Sequence, residues 1–192
     1  RYNKLNDYLK HIQIKDKKSF SIDLATGTGK SWVIYAVAQI MLAGGLVDKA
    51  LVLCPSLTIE EELKKKFEAF SGNNILTQIL TELDADYPSP AIKSANDPIL
   101  NGDICVENIH AAYQRTGSSI PDSFKGKGQR ALVISDEAHH VYSKADANVK
   151  RWYDFLINPD YDFHYLLGLT GTPYIEEEYF RWRKAFVCRR VS

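Results

Sequence analysis

Cysteine is scarce: Cys54, Cys105 and Cys188 stand far apart, odd in number and without a C-x-x-C pair. That excludes a disulfide framework and a zinc ribbon, and it fits a reducing, cytoplasmic setting. Neither sign of charge is in excess, with 24 Lys and Arg against 24 Asp and Glu. A histone-like or polybasic-tail protein is thereby excluded, and any nucleic-acid contact must be local. No apolar run reaches the roughly 18 to 20 residues that span a bilayer. The longest, over 32–47, is interrupted by Gln39 and Gly44-Gly45 and reads as a buried helix, so no membrane partner is expected. A signal peptide, with its charged and apolar regions, is also missing, and the start at Arg1 suggests a piece of a longer protein.

What is present is the composition of one compact soluble domain. The 192 residues are 45% hydrophobic and 25% charged, enough for a single sizeable core over 1–192. Apolar or β-branched runs over 20–24, 50–54, 103–106, 131–135 and 165–170 alternate with helical patterns. ALVLC and ALVIS are continuously apolar, as strands covered on both faces should be. The expected fold is therefore α/β, with a mainly parallel sheet and helices on both faces. Leu5, Tyr8, Leu9 and Ile12 follow helical spacing, as do Val149, Trp152, Tyr153 and Leu156. Thr58 with Glu61 reads as a capping box ahead of Leu63, Phe67 and Phe70. Proline-rich 84–102 and glycine- and lysine-rich 115–130 read as surface insertions.

Three clusters carry chemistry. Thr26-Gly27-Thr28-Gly29-Lys30-Ser31 follows an apolar strand and opens a helix, the context a phosphate-binding loop requires. Glycines let successive N–H groups turn inward, and the helix adds its positive end. Lys30 can then reach the β- and γ-phosphates of ATP, and the Ser31 hydroxyl can ligand Mg²⁺. The first glycine of the general P-loop pattern is Leu24 here, and a glycine-rich turn without a ligand is the plain alternative. Next, Asp136-Glu137-Ala138-His139 ends the strand ALVIS, at the sheet edge where parallel α/β folds bind ligands. Asp136 can hold Mg²⁺, and Glu137 can orient and deprotonate the water attacking the γ-phosphate. The adjacent His139-His140 pair lacks the i, i+4 spacing of a helical zinc site. Last, Thr170-Gly171-Thr172-Pro173 after the strand YLLGL is a plain turn taken alone, but in third position its hydroxyls could join the carboxylates to a moving partner domain.

Together LATGTGKS, SDEAH and LTGTP resemble motifs I, II and III of superfamily 2 helicases and translocases, in order. The wording SIDLATGTGKS, ENIHAAY, SDEAHHVY and GLTGTPYIEEEYF most resembles the Res subunit of type III restriction enzymes, over about 20–180. Type I restriction motor subunits and repair helicases share the three core motifs. The resemblance implies a RecA-like P-loop NTPase domain, the first of two motor domains, with 175–192 starting the connection to the second. It implies that Thr26, Gly27, Thr28, Gly29, Lys30 and Ser31 bind the nucleotide. By the same resemblance Asp136 and Glu137 serve metal and water, while His139, Thr170 and Thr172 couple hydrolysis to domain movement. Leu-Cys-Pro-Ser at 53–56 resembles motif Ia, and Val-Glu-Asn-Ile-His at 106–110 falls where relatives carry another strand-contacting segment, so Ser56 and Asn108 become backbone contacts to nucleic acid. Ordinary loop starts after strands are the alternative for both. Relatives select adenine with a Gln after an aromatic residue; the nearest pair here, Tyr2-Asn3, departs from that pattern and makes Asn3 the candidate.

The implied partners are double-stranded DNA, a second RecA-like domain and a methyltransferase subunit. Arg181, Arg183, Arg189 and Arg190 read as a solvated helix face or the start of the connection, so arginine fingers must come from elsewhere. A finger adds about 10³ to 10⁵ in rate, so this stretch alone is expected to bind ATP and hydrolyse it poorly. It also lacks the acidic and Lys constellation of a nuclease. Two rivals remain: a nucleotide-gated binding module without useful hydrolysis, and a P-loop ATPase indifferent to nucleic acid.

Overall fold

The computed structural model describes residues 18–25, 27–73, 75–82, 89–110, 117–138, 147–171, 174–175 and 178–179. Six strands form one sheet: β1 (Lys18–Asp23), β2 (Lys49–Cys54), β3 (Ile92–Lys93), β4 (Ile104–Asn108), β5 (Ala131–Ser135) and β6 (Tyr165–Thr170). Their order is β1-β6-β5-β2-β4-β3, and every pairing in it is parallel. Among the described residues five α-helices follow in chain order: α1 (Lys30–Ala43), α2 (Leu57–Gly72), α3 (Ile75–Glu82), α4 (Ile120–Phe124) and α5 (Ala147–Ile157). A separate antiparallel pair joins β7 (Tyr174–Ile175) to β8 (Glu178–Tyr179).

Strand side chains alternate between two cores, because successive residues of a strand point to opposite faces. Ala50, Val52, Cys54, Ile104, Val106, Leu132 and Ile134 pack on one face with Ile34, Tyr35 and Ala38 of α1, Leu63 and Phe67 of α2, and Leu76 and Leu80 of α3. Leu51, Leu53, Cys105, Val133 and Leu166 pack on the other with Ile120 and Phe124 of α4 and Trp152, Phe155 and Leu156 of α5. The result is the expected three-layer RecA-like α/β domain, and burial on both faces explains the unbroken apolar runs.

Several expectations are corrected. Helix α1 stops at Ala43, short of Val47, because Gly45 takes a left-handed φ of 63° and the Leu46 N–H turns back to the Met41 carbonyl at 3.0 Å. Helix α2 starts two residues earlier than the Thr58 box. Ser56 is its cap, the Oγ accepting the Ile59 N–H at 3.4 Å. The segments 84–102 and 115–130 are not mere surface insertions, because they put Ala95, Ile99, Ile120 and Phe124 into the core. Polar and glycine-rich composition masked the i, i+4 pair Ile120 and Phe124. Within the same stretch the Gly128 N–H meets the Tyr161 carbonyl at 3.0 Å, and a Cβ there would lie 2.1 Å from that oxygen. Helix α3 and strand β3 were not foreseen. The helical pattern of 5–12 lies outside the described residues. Among those described, no helix is long and apolar enough to cross a membrane.

Candidate nucleotide site

Strand order decides what meets at the carboxyl edge of the sheet. Strands β1, β6 and β5 are neighbours, so the phosphate loop after β1, Thr170 at the end of β6 and the acidic pair after β5 come together although far apart in sequence. The β1–β6 register sets Asp23 opposite Thr170, and the Leu24 N–H donates to the Thr170 carbonyl at 2.9 Å. Thr170 is fully buried.

The loop is built around two left-handed glycines, Gly27 at φ 83° and Gly29 at φ 89°. Nothing would crowd a Cβ at either, so the requirement is conformational. Thr28 closes the turn, its Oγ1 donating to the Ala25 carbonyl at 2.6 Å. Gly29 is the N-cap of α1 and has no side chain with which to cap that helix end. An uncapped N-terminus behind a glycine turn is a cradle for an anion.

Lys30 opens α1 and its Nζ ion-pairs with Glu137 Oε1, with Asp136 Oδ1 at 3.8 Å. Asp136 is buried at 6% exposure, its N–H donating to the Leu53 carbonyl at 2.8 Å and its Oδ1 accepting the Glu137 N–H at 3.0 Å. Burial pushes the Asp136 carboxyl above its ordinary range, Lys30 opposes the shift and Glu137 adds to it. Glu137 itself sits at φ 51°, a conformation rarely adopted by a side-chain-bearing residue, with its side chain only partly covered. The two adjacent carboxyls thus differ as two separate roles demand: one buried and fixed, the other reaching toward the loop.

The donor set suits Mg²⁺. Ser31, on the first turn of α1, and Asp136, just after β5, offer hard oxygen ligands. Among the described residues no group of three or more His, Cys, Asp or Glu could hold an ion alone.

Strands β2 and β4 carry the remaining candidates to the same edge. Ser56 is half-buried as the α2 cap. Asn108 is buried at 5% exposure, its amide donating to Glu60 Oε2 at 2.7 Å and Glu107 Oε1 at 3.0 Å. Its side chain is therefore tied into the strand edge by two carboxyl groups. Glu60 and Glu107 were missed, although a glutamate inside the apolar run ICVEN is a visible anomaly. Thr26, His139, Thr172 and Asn3 lie outside the described residues.

Fold and site define an ATP-binding motor domain of the superfamily 2 helicase type. The chain belongs to the family described as "Type III restriction enzyme, res subunit", whose profile matches residues 2–175. Among solved structures it is similar to the "UvsW helicase from Bacteriophage T4", at 15% identity and a TM-score of 0.47, covering 87% of this chain and 51% of that one. A second match, "The crystal structure of T4 UvsW", has 14% identity and a TM-score of 0.47, covering 86% of this chain and 29% of that one. The chain spans about half or less of those structures' length. Comparison with curated proteins gives no match.

Proposed function

We propose that this domain binds ATP and Mg²⁺ and drives an ATP-dependent DNA translocase, as the restriction (Res) subunit of a type III restriction-modification system. The observation that carries it is the meeting of Lys30 with Glu137 and Asp136 beside an uncapped α1 N-terminus. Main-chain N–H groups after Gly27 and Gly29 hold the phosphates, and Lys30 leaves its carboxylate partners to neutralise the β- and γ-oxygens. Ser31 and Asp136 would hold Mg²⁺, which supplies charge neutralisation on those oxygens. Glu137, released from Lys30, orients the attacking water and accepts its proton. Thr170, hydrogen-bonded through its carbonyl to the start of the phosphate loop, passes loop movement to the edge facing a second motor domain, together with His139 and Thr172.

The partners in this reading are double-stranded DNA, a second RecA-like domain supplying arginine fingers, and a methyltransferase subunit. Ser56 stands at the DNA-facing edge, with Asn108 beneath it, and Asn3 is the adenine candidate. The setting is the cytoplasm.

The test is thermal stability with Mg²⁺ and a non-hydrolysable ATP analogue, for the chain and for Lys30→Ala. Ligand at about 100 times its Kd contributes about 2.7 kcal/mol to the folded state. Stabilisation that disappears with Lys30 upholds the site, and an original chain left unshifted by the analogue sinks it. Hydrolysis by the full-length protein that ignores DNA would sink the translocase.

A further inference from the structure

Two buried carboxyls play no part in that chemistry. Glu60 on the first turn of α2 and Glu107 on β4 are 6% and 1% exposed. Glu60 Oε2 accepts both the main-chain N–H of Asn108, at 3.0 Å, and its side-chain amide, at 2.7 Å. Its other oxygen pairs with Lys64 one helical turn on. Glu107 Oε1 accepts the same two Asn108 donors at 3.3 and 3.0 Å, and its Oε2 accepts the Ala95 N–H at 2.9 Å. The two glutamates share a hydrogen bond. Burial works against charge on Glu60, but Lys64, Asn108 and Glu107 outweigh it and hold the carboxyl low, whereas burial and Glu60 push Glu107 up. The pair is thus biased in opposite directions, Glu60 toward the charged form and Glu107 toward the neutral one.

Stability alone does not call for this arrangement. Well-packed apolar side chains in place of buried ionic groups are often neutral or stabilising, whereas a directional polar cluster fixes one register between the elements it joins. The register fixed here lies between the start of α2 and the carboxyl end of β4. Above it stand Ser56, the exposed Leu57 and Thr58 on one side, and the exposed His110 on the other.

We infer that Glu60 is a positioning residue that clamps the α2 N-terminal turn to the β4 edge through Asn108, so that the two segments meet a nucleic-acid backbone as one preformed surface. This rests on the DNA-motor reading above. Without the clamp each segment must be ordered on binding, which weakens the track contact and leaves the nucleotide site intact.

The experiment follows ATP hydrolysis by the full-length protein against increasing duplex DNA. It compares the wild type with Glu60→Gln, with Glu60→Asp, and with the exchange Glu60→Gln/Asn108→Asp, which restores the side-chain bond with donor and acceptor reversed at unchanged net charge. The half-saturating DNA concentration should rise about tenfold in Glu60→Gln, the scale of one hydrogen bond to a charged group, while the KM for ATP stays in place. The shorter Glu60→Asp keeps the charge but not the reach and should behave alike. The exchange should bring half-saturation back toward wild type. Unchanged half-saturation in both single variants, whatever their melting temperatures, overturns the clamp and leaves a merely structural cluster. A parallel loss of KM for ATP overturns it too. Wild-type hydrolysis that ignores duplex and single-stranded DNA alike overturns the motor reading itself, and the clamp with it.

Discussion

Lys30 and Glu137, 107 positions apart in the chain, are ion-paired across the carboxyl edge of the sheet. Each neutralises the other, and phosphate oxygens would compete with Glu137 for the same ammonium. Glu137→Gln removes the competing charge but keeps the size of the side chain. It should preserve or strengthen the thermal stabilisation by the ATP analogue while hydrolysis by the full-length protein falls about 10² to 10⁴-fold. Retained hydrolysis would take the general base away from Glu137.

The phosphate loop depends on backbone shape. At φ 89°, Gly29 occupies a conformation that any other residue adopts at a cost of about 1–2 kcal/mol, although a Cβ there meets nothing. Gly29→Ala should lower the urea midpoint by a corresponding amount and weaken analogue binding. A variant as stable as the original would show that the loop relaxes freely.

Asp136 should make stability depend on pH in a particular direction. Its folded-state carboxyl titrates above the ordinary value of 3.8, chiefly through burial. The folded state therefore holds the proton more tightly than the unfolded chain, and the contribution of Asp136 to stability is lost as pH rises from that value through its folded pKa. At neutral pH the ionised side chain is a burden that Asp136→Asn removes. The variant should be more stable by about 0.5–2 kcal/mol without nucleotide, with a smaller loss of stability across that pH interval, and should lose the stabilisation by Mg²⁺ and analogue. Denaturant titrations at several pH values, variant against wild type, decide it. A less stable variant contradicts the sign.

Gly128 tests the packing of the segment that looked like a loop. A Cβ there would sit 2.1 Å from the Tyr161 carbonyl and 2.7 Å from the Phe163 nitrogen, both main-chain atoms. Gly128→Ala should cost about 1–3 kcal/mol by forcing the two segments apart. The drop in melting temperature is the readout, and a silent substitution would mean that 126–130 does not rest on 160–164.

The sheet was legible because its strands are buried on both faces and so read as unbroken apolar runs. The motifs at its edge were legible because phosphate and metal chemistry demands particular residue types side by side, as in Gly27-Thr28-Gly29-Lys30-Ser31 and Asp136-Glu137. Helix α4 was not, since five residues with a proline and an aspartate carry too little periodicity to stand out, and its two core residues declare themselves only against Phe163 and Phe155. The Thr58 box misled because two possible caps lie two residues apart, and the extended backbone of Ser56 at the end of β2 settles between them. The hydrogen bonds that hold Asn108 were not legible. Its partner Glu60 lies 48 positions away, a separation no local pattern reports.

Among the described residues strand β1 is an edge strand that pairs with β6 only, although β6 lies almost at the other end of the described chain. During synthesis β2, β4 and β5 can associate as they emerge and α1 can pack on them, but β1 has no partner strand until 165–170 has left the ribosome. The phosphate loop therefore gains its α1 side early and its β1 side only with β6. A nascent chain that stops short of 165 would keep Lys30 and Glu137 yet leave the strand before the loop unpaired, so the loop is held from both ends only once β6 is in place.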